Sequence, residues 1–504
     1  MNVYASRILK NNPLPAIALY CCALFGLQNI SVHAAEITSN WDGTDNGTAA
    51  WDLDANWDND TWPRNFGGNN YLANIGNANG DRVITVPTIS ALWGLSVTQT
   101  ATGGSTTLQL GGSVTLNGSV AAPATVGVTN TTGDLSRVVL ELNAYTFTAL
   151  NYGNYDNFGR GGYTVRSTGN QGGILAMRKW RDDLGAGIAV QDNVTVKLGT
   201  AERSEIDATK STVSSSSTIQ MTHTSVSNVE FWAHNNLTIG NLVIGASTNS
   251  AATRTIIAGT PLRVSGNVLI NSYTGATGGA ASILTLGNSA PQLYVGGDFT
   301  DSGADNIGYG DSAKTIVFNG GEENERILST GRGVATSFRV GEDISTPGNI
   351  ALGQNLTTTG GFSVLSMSTL NVQNHNLTAG TFTGSSSMTL TYTFGSANGH
   401  IQAGNLNLAE FDLNLIYDNG GWIDGDDLVL FNYSGVLTGT PELGEVFLPN
   451  NWAFDSLVSD LDSKSIYLSN VRVVPEPSVV LLGGLGISLL LLRRRRRQEI
   501  SDIR

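Results

Sequence analysis

The sequence predicts an all-β protein: a right-handed parallel β-solenoid (β-helix) body, a C-terminal antiparallel β cap, and a short C-terminal transmembrane helix. Three observations carry that expectation. Charged residues are only 13% of 504, about half the usual share, and 61 glycines with runs of Ser, Thr and Asn take their place. A unit of short strand, Gly-Asn and short strand recurs through the middle of the chain. The chain then ends on "VVPEPSVVLLGGLGISLLLLRRRRRQ" (Val473 to Gln498), an apolar run followed by five arginines.

Residues 1–34 have the pattern of a secretory signal peptide. Arg7 and Lys10 give a positive start, "LPAIALYCCALFGL" is the apolar stretch, and Val32-His33-Ala34 offers small residues for cleavage between Ala34 and Ala35. The apolar stretch is shorter than the ~20 residues a spanning helix needs. Cys21 and Cys22, the only cysteines, fall inside it. A processed chain therefore has no disulfide, thiolate nucleophile or Cys-based zinc site.

The body, 35–405, repeats one pattern. "LTIGNLVI" (Leu237 to Ile244), "LRVSGNVLI" (Leu262 to Ile270) and "LYVGGDFT" (Leu293 to Thr300) share the form L-x-[IV]-(x)-G-[ND]-apolar, at spacings of 25 and 31 residues. "NLTTTGGFSVL" (from Asn355) and "NLTAGTFTG" (from Asn376) echo it. Alternation such as Val194, Val196, Leu198 turns one strand face inward, and Gly-Asn or Gly-Asp is expected to supply left-handed turns between strands. Periods of this length and content predict stacked parallel rungs; a set of antiparallel β-sandwiches is the alternative. "GGILAMRKWRDDLG" (Gly172 to Gly185) is the one stretch with helical character. "STVSSSST" (Ser211 to Thr218) has the composition of a flexible or glycosylated surface loop. Residues 406–472, richer in aromatics and acids, are expected to form the antiparallel cap that a solenoid needs against edge-to-edge growth.

The tail comprises 473–497. Its apolar run, 479–492, would reach only ~21 Å as a helix against a hydrocarbon core of ~30 Å, so it suits a temporary anchor. Arg493, Arg494, Arg495, Arg496 and Arg497 form a stop-transfer cluster on the cytoplasmic side. Pro475, Glu476, Pro477 and Ser478, then the apolar run, then the arginines, resemble the PEP-CTERM sorting signal of bacterial exported proteins. The resemblance implies cleavage by an exosortase-type membrane protease and release toward the cell surface or exopolysaccharide. A second resemblance covers the start of the body. Trp41, Trp51, Asn56-Trp57 and Pro63, leading into "DRVITV", are similar to the start of autotransporter-associated β-strand repeat proteins, which implies a β-helical surface body.

Chemistry is hard to find. The net charge of −14 becomes more negative once the basic ends are removed, which disfavours nucleic acid. No lysine follows a glycine, so there is no Walker loop. Asp52, Asp54, Asn56, Asp58 and Asp60 alternate like calcium ligands, but an EF-hand frame from Asp54 puts Asn59 at the Gly position and Asn65 at the Glu position. They form a weak calcium site or a solvated turn. Asp418, Asp424, Asp426 and Asp427 share that ambiguity. His223, His234, His375 and His400 show no metal-pair spacing, and Gly310-Asp311-Ser312 has the character of a turn. Trp41, Trp51, Trp57 and Trp62 could stack on sugars or cover the core. No catalytic residue stands out, so the expected class is a non-enzymatic surface or matrix protein. The rivals are a glycan-binding adhesin with a row of exposed Trp, and a β-helix polysaccharide lyase or hydrolase with a groove lined by acids and Arg160, Arg178, Lys179 or Arg181.

Overall fold

The computed structural model describes residues 36–44, 46–64, 70–100, 102–117, 127–149, 161–168, 172–182, 185–199, 203–222, 229–245, 254–271, 283–288, 292–301, 313–320, 324–330, 333–474 and 486–493. Within them the chain is nearly all β, with 44 strands in long parallel sheets. Successive strands are dealt to different sheets in rotation. Asn70–Ile75 joins a four-stranded sheet, Asp81–Val86 a seven-stranded one and Ile89–Leu92 a fifteen-stranded one; Gly94–Gln99, Ser105–Leu110 and Val114–Leu116 then repeat the round. Nearer the C-terminus, strands alternate between the fifteen-stranded sheet and a fourteen-stranded one. Apart from the last strands of the chain, each strand pairs in parallel with one a full round later, from 19 residues on (Gln373 with Tyr392) to 35 (Gly47 with Arg82). That pairing excludes antiparallel sandwiches for the body.

Period-two patterning selects what lies inside. Val194, Val196 and Leu198 are buried while Thr195 and Lys197 face outward. Such inward faces merge into one apolar cluster running from Trp51 to Val471. Its spine is aromatic: Phe299, Phe318, Phe338, Phe362, Phe382 and Phe431 follow one another at centroid separations of 6.3, 6.5, 6.1, 6.1 and 5.7 Å. These lie within the range of favourable ring pairs. A one-residue slip of any rung would turn its Phe to solvent, so the stack fixes register.

The recurring Gly-Asn/Asp units sit at corners, where one strand leaves a sheet and the next joins another. Asn241 Oδ1 accepts the Asn267 N–H (2.9 Å), Asn267 Oδ1 accepts the Asp298 N–H (2.8 Å), and Asp298 Oδ1 accepts the Ile327 N–H (2.9 Å). Each acidic or amide side chain thus satisfies the backbone of the following rung. The glycines do not serve as left-handed turns: Gly240, Gly266 and Gly297 lie outside the positive-φ region. They are there for space. A Cβ on Gly266 would collide with Asn241 Oδ1, and one on Gly297 with Asn267 Oδ1.

Three further expectations need correction. The helical reading of 172–185 fails: Gly173–Met177 is a strand paired in parallel with Thr146–Ala149 on one side and Val194–Leu198 on the other. Two-sided pairing and burial of Leu175, Met177 and Trp180 outweigh local helix preference. The serine run 211–218 is no loose loop. Ser211 and Ser217 are buried, accepting the N–H groups of Ile188 (2.7 Å) and Val194 (3.4 Å).

The antiparallel cap begins later than residue 406. Glu410–Tyr417 and Glu442–Phe447 extend the fifteen-stranded sheet in parallel. The reason is register: Phe411, Leu413 and Leu415 stack on Met388, Leu390 and Tyr392. Among the described strands, antiparallel pairing is confined to Ser465–Val473, with Asp426–Tyr433, Trp452–Ala453 and Ser456–Asp460. At the tail, 486–493 is helical and exposed. Of the expected transmembrane helix over 479–492, residues 479–485 lie outside the described residues; among the described residues no helix is long and apolar enough to cross a membrane.

Two substitutions weigh these contacts. Phe362→Ala removes a fully buried ring and is expected to cost about 3–5 kcal/mol. Asn267→Ala removes one corner acceptor beside water and should cost about 1 kcal/mol. Denaturant unfolding of both variants checks the ranking.

Candidate functional site

Three outward-facing clusters among the described residues carry more than short polar side chains; in one, Arg263 lies over Tyr294 and pairs with Glu342, and the other two are the candidates. The first lies on the four-stranded sheet containing Ser204–Asp207 and Val229–His234, where Glu205 is in register with Trp232. The Arg203 guanidinium lies 3.9 Å from the Trp232 ring centroid, and its Nε is 2.6 Å from Glu205 Oε1. His234 Nε2 is 3.4 Å from Glu205 Oε2 and its ring stacks on Trp232. Trp232 Nε1 donates to Glu230 Oε2 at 2.7 Å. The Arg181 backbone forms an isolated parallel bridge with that of Glu205. These groups satisfy one another, so the cluster reads as an interlocked cover over the sheet.

The second is an open cleft of about 570 Å³ at the carboxyl ends of Gly161–Arg166, Gly187–Val190 and Thr212–Val213. Thr212–Val213 is the last strand of the seven-stranded sheet, and the cleft opens where that sheet stops. Parallel register places Glu141 beside Arg166, and Glu141 Oε2 accepts from Arg166 Nε at 2.6 Å. Glu141 Oε1 accepts the Thr168 N–H at 2.8 Å. At the rim Asp192 accepts from the Ser214 and Ser216 hydroxyls, which lower its pKa below the usual carboxylate value. Sequence reasoning missed this cleft because its parts are spread over 141–214. The only sequence signal was an Arg following a strand in an Arg-poor body.

The sequence-predicted residues fall elsewhere. Trp51 and Trp57 are 1% exposed and meet edge to face at 4.8 Å, with Trp41 at 5.1 Å from Trp57. None of the nine tryptophans is more than half-exposed, so the row of exposed tryptophans that an adhesin would need is not there. Asp58 accepts the Asn40 N–H and side-chain amide (2.9 and 2.6 Å), Asp54 accepts the Trp62 N–H (3.0 Å), and Asn56 donates to the Ala50 carbonyl (2.7 Å). Asp52 and Asp60 are exposed, on either side of the short 3-10 turn Asp54–Asn56. In the second acidic stretch, Asp418 accepts from Ser396 and Gly420, Asp424 from the Val473 N–H and Asp427 from the Asn470 N–H. Among the described residues no group of three or more His, Asp or Glu is placed to hold a metal.

His375 and His400 come near each other because Asn376 pairs with His400; burial lowers the His375 pKa. Arg178, Lys179 and Arg181 follow Gly173–Met177 and do not line the cleft. Arg160, His223, Gly310 to Ser312, Ala34, Ala35, Pro475 to Ser478 and Arg494 to Arg497 lie outside the described residues; Arg493 ends the exposed helix. Comparison with protein-family models and with curated proteins gave no match.

Several surface carboxylates are tuned alike. Asp418 is lowered by the Ser396 hydroxyl, Asp455 by the Asn470 amide, Asp460 by the Ser463 hydroxyl, and Glu342 by Arg263. A carboxylate whose folded pKa is depressed adds stability above its unfolded value and loses it as pH falls through the folded one. Thermal midpoints should therefore fall modestly from pH 7 to about 5, where the unfolded chain protonates His375 and the folded one resists it, and drop further below about pH 4 as the carboxylates titrate. A midpoint that rises on acidification would contradict this.

Proposed function

We propose that the chain is an exported, non-enzymatic structural protein of the cell surface or extracellular matrix. In this reading the parallel sheets close into a right-handed β-solenoid, the N-terminal signal exports it, and the PEP-CTERM tail sorts it through an exosortase-type protease. The observation that carries the reading is the fifteen-stranded parallel sheet backed by one apolar cluster. Fifteen strands at ~4.8 Å place its ends roughly 65–70 Å apart. A long body of this kind, with its outward Arg and Glu groups largely paired to each other, suits spacing and scaffolding. Buried tryptophans favour it over an adhesin built on exposed aromatic rows.

The tail supplies the test. Protein recovered from the cell surface should lack everything beyond about Pro475 to Ser478, seen as loss of the apolar run and arginines together in the intact mass. Replacing Arg493 to Arg497 with Ser removes the charges that resist translocation, so this variant should reach the medium with its tail attached. Changing Pro475 and Pro477 to Ala should leave an uncleaved form in the inner membrane. Surface protein that retains 479–497 would overturn the sorting reading.

A further inference from the structure

We propose that the cleft ending the seven-stranded sheet binds a uronic-acid unit of an acidic polysaccharide, with Arg166 taking the sugar carboxylate. Arg166 is held from behind: its Nε is fixed at 2.6 Å on Glu141, which is 2% exposed, while 42% of the Arg166 side chain remains open. Its two terminal nitrogens take no acceptor among the described residues. A guanidinium anchored through Nε with its outer edge free matches a planar carboxylate in two parallel hydrogen bonds.

The rest of the cleft suits a sugar more than a bare anion. Half-buried Val213 contributes apolar surface, and Gln191 and Thr212 project exposed amide and hydroxyl groups. The ionised Asp192 at the rim can accept a ring hydroxyl. It also disfavours doubly charged phosphate monoesters, since a single arginine cannot offset both charges. In-register strands set Val165, Val190 and Val213 side by side, so the next position along each strand, Arg166, Gln191 and Ser214, forms a polar row. A chain of sugars can lie along such a row. The absence of exposed Trp is consistent with recognition by charge and hydrogen bonds.

This inference rests on the exported, matrix-associated reading for its biological setting, but its test is independent of sorting. Purified full-length protein is titrated calorimetrically with tetragalacturonate, with maltotetraose as the neutral counterpart and with acetate as a bare carboxylate. Tetragalacturonate should bind, maltotetraose and acetate should give no measurable heat, and added salt should weaken binding. Arg166→Gln should weaken it at least about tenfold. Because that change leaves Glu141 buried without its partner and could unfold the chain, Thr212→Trp serves as the second variant. It fills the cleft from an exposed position, leaves the Arg166–Glu141 pair intact and should abolish binding. No binding by the wild type, equal binding of the neutral glycan, or undiminished binding by Thr212→Trp would each overturn the proposal. If binding holds while surface protein keeps its tail, the sorting reading falls and the cleft assignment stands.

Discussion

Each rung of this protein must pass its backbone N–H groups to the rung beside it, and every other feature serves that requirement. Along straight strands the parallel ladder does so automatically. At corners the chain leaves ladder geometry, and an N–H left unmet there would cost about 1–3 kcal/mol when shielded from water. The Asn241, Asn267 and Asp298 side chains meet that need, each reaching to the following rung. The glycines beside them let consecutive rungs approach without a Cβ between them. Inside, the phenylalanine spine enforces the same register from the apolar side.

A stack of parallel rungs has two ends, and both are covered by aromatic clusters. At the N-terminal end Trp41, Trp51 and Trp57 interlock, with Trp57 Nε1 donating to the Trp51 carbonyl at 2.8 Å. At the C-terminal end Phe394, Tyr417, Trp422 and Trp452 pack within 5.3 Å of one another in successive pairs. The antiparallel strand Ser465–Val473 then closes off Asp426–Tyr433. The edge strand Glu442–Phe447 places exposed Glu442 at its start, and charge on an edge discourages pairing with another chain.

Much of this was legible in the sequence, and the misreadings are informative. The L-x-[IV]-G-[ND] unit marked corners correctly because two short apolar strands flank it. Its glycine was misassigned to left-handed turns, since sequence shows a residue's conformational freedom and not the neighbour that crowds it. "GGILAMRKWRDDLG" failed for a related reason: pairing partners at Thr146–Ala149 and Val194–Leu198 are distant in sequence and decide its state. Serines at 211 and 217 looked like solvent-exposed filler, yet they satisfy backbone groups of the preceding rung. The cleft was invisible because Glu141, Arg166, Gln191 and Thr212 meet only through register.

The functional account depends on that register more than on any single side chain, since the long parallel sheets, the outward polar rows and the cleft all derive from it. Cross-linking reads it directly. Thr378 pairs with Gln402, so cysteines at these two outward positions should lie ~5 Å apart. A short thiol cross-linker should join them within one chain, as located by peptide mass spectrometry. Cysteines at Thr378 and Asn407 would be separated by about a further 16 Å along the strand and should stay unlinked. Efficient linkage of the second pair with none of the first would contradict the parallel, in-register stack on which the account is built.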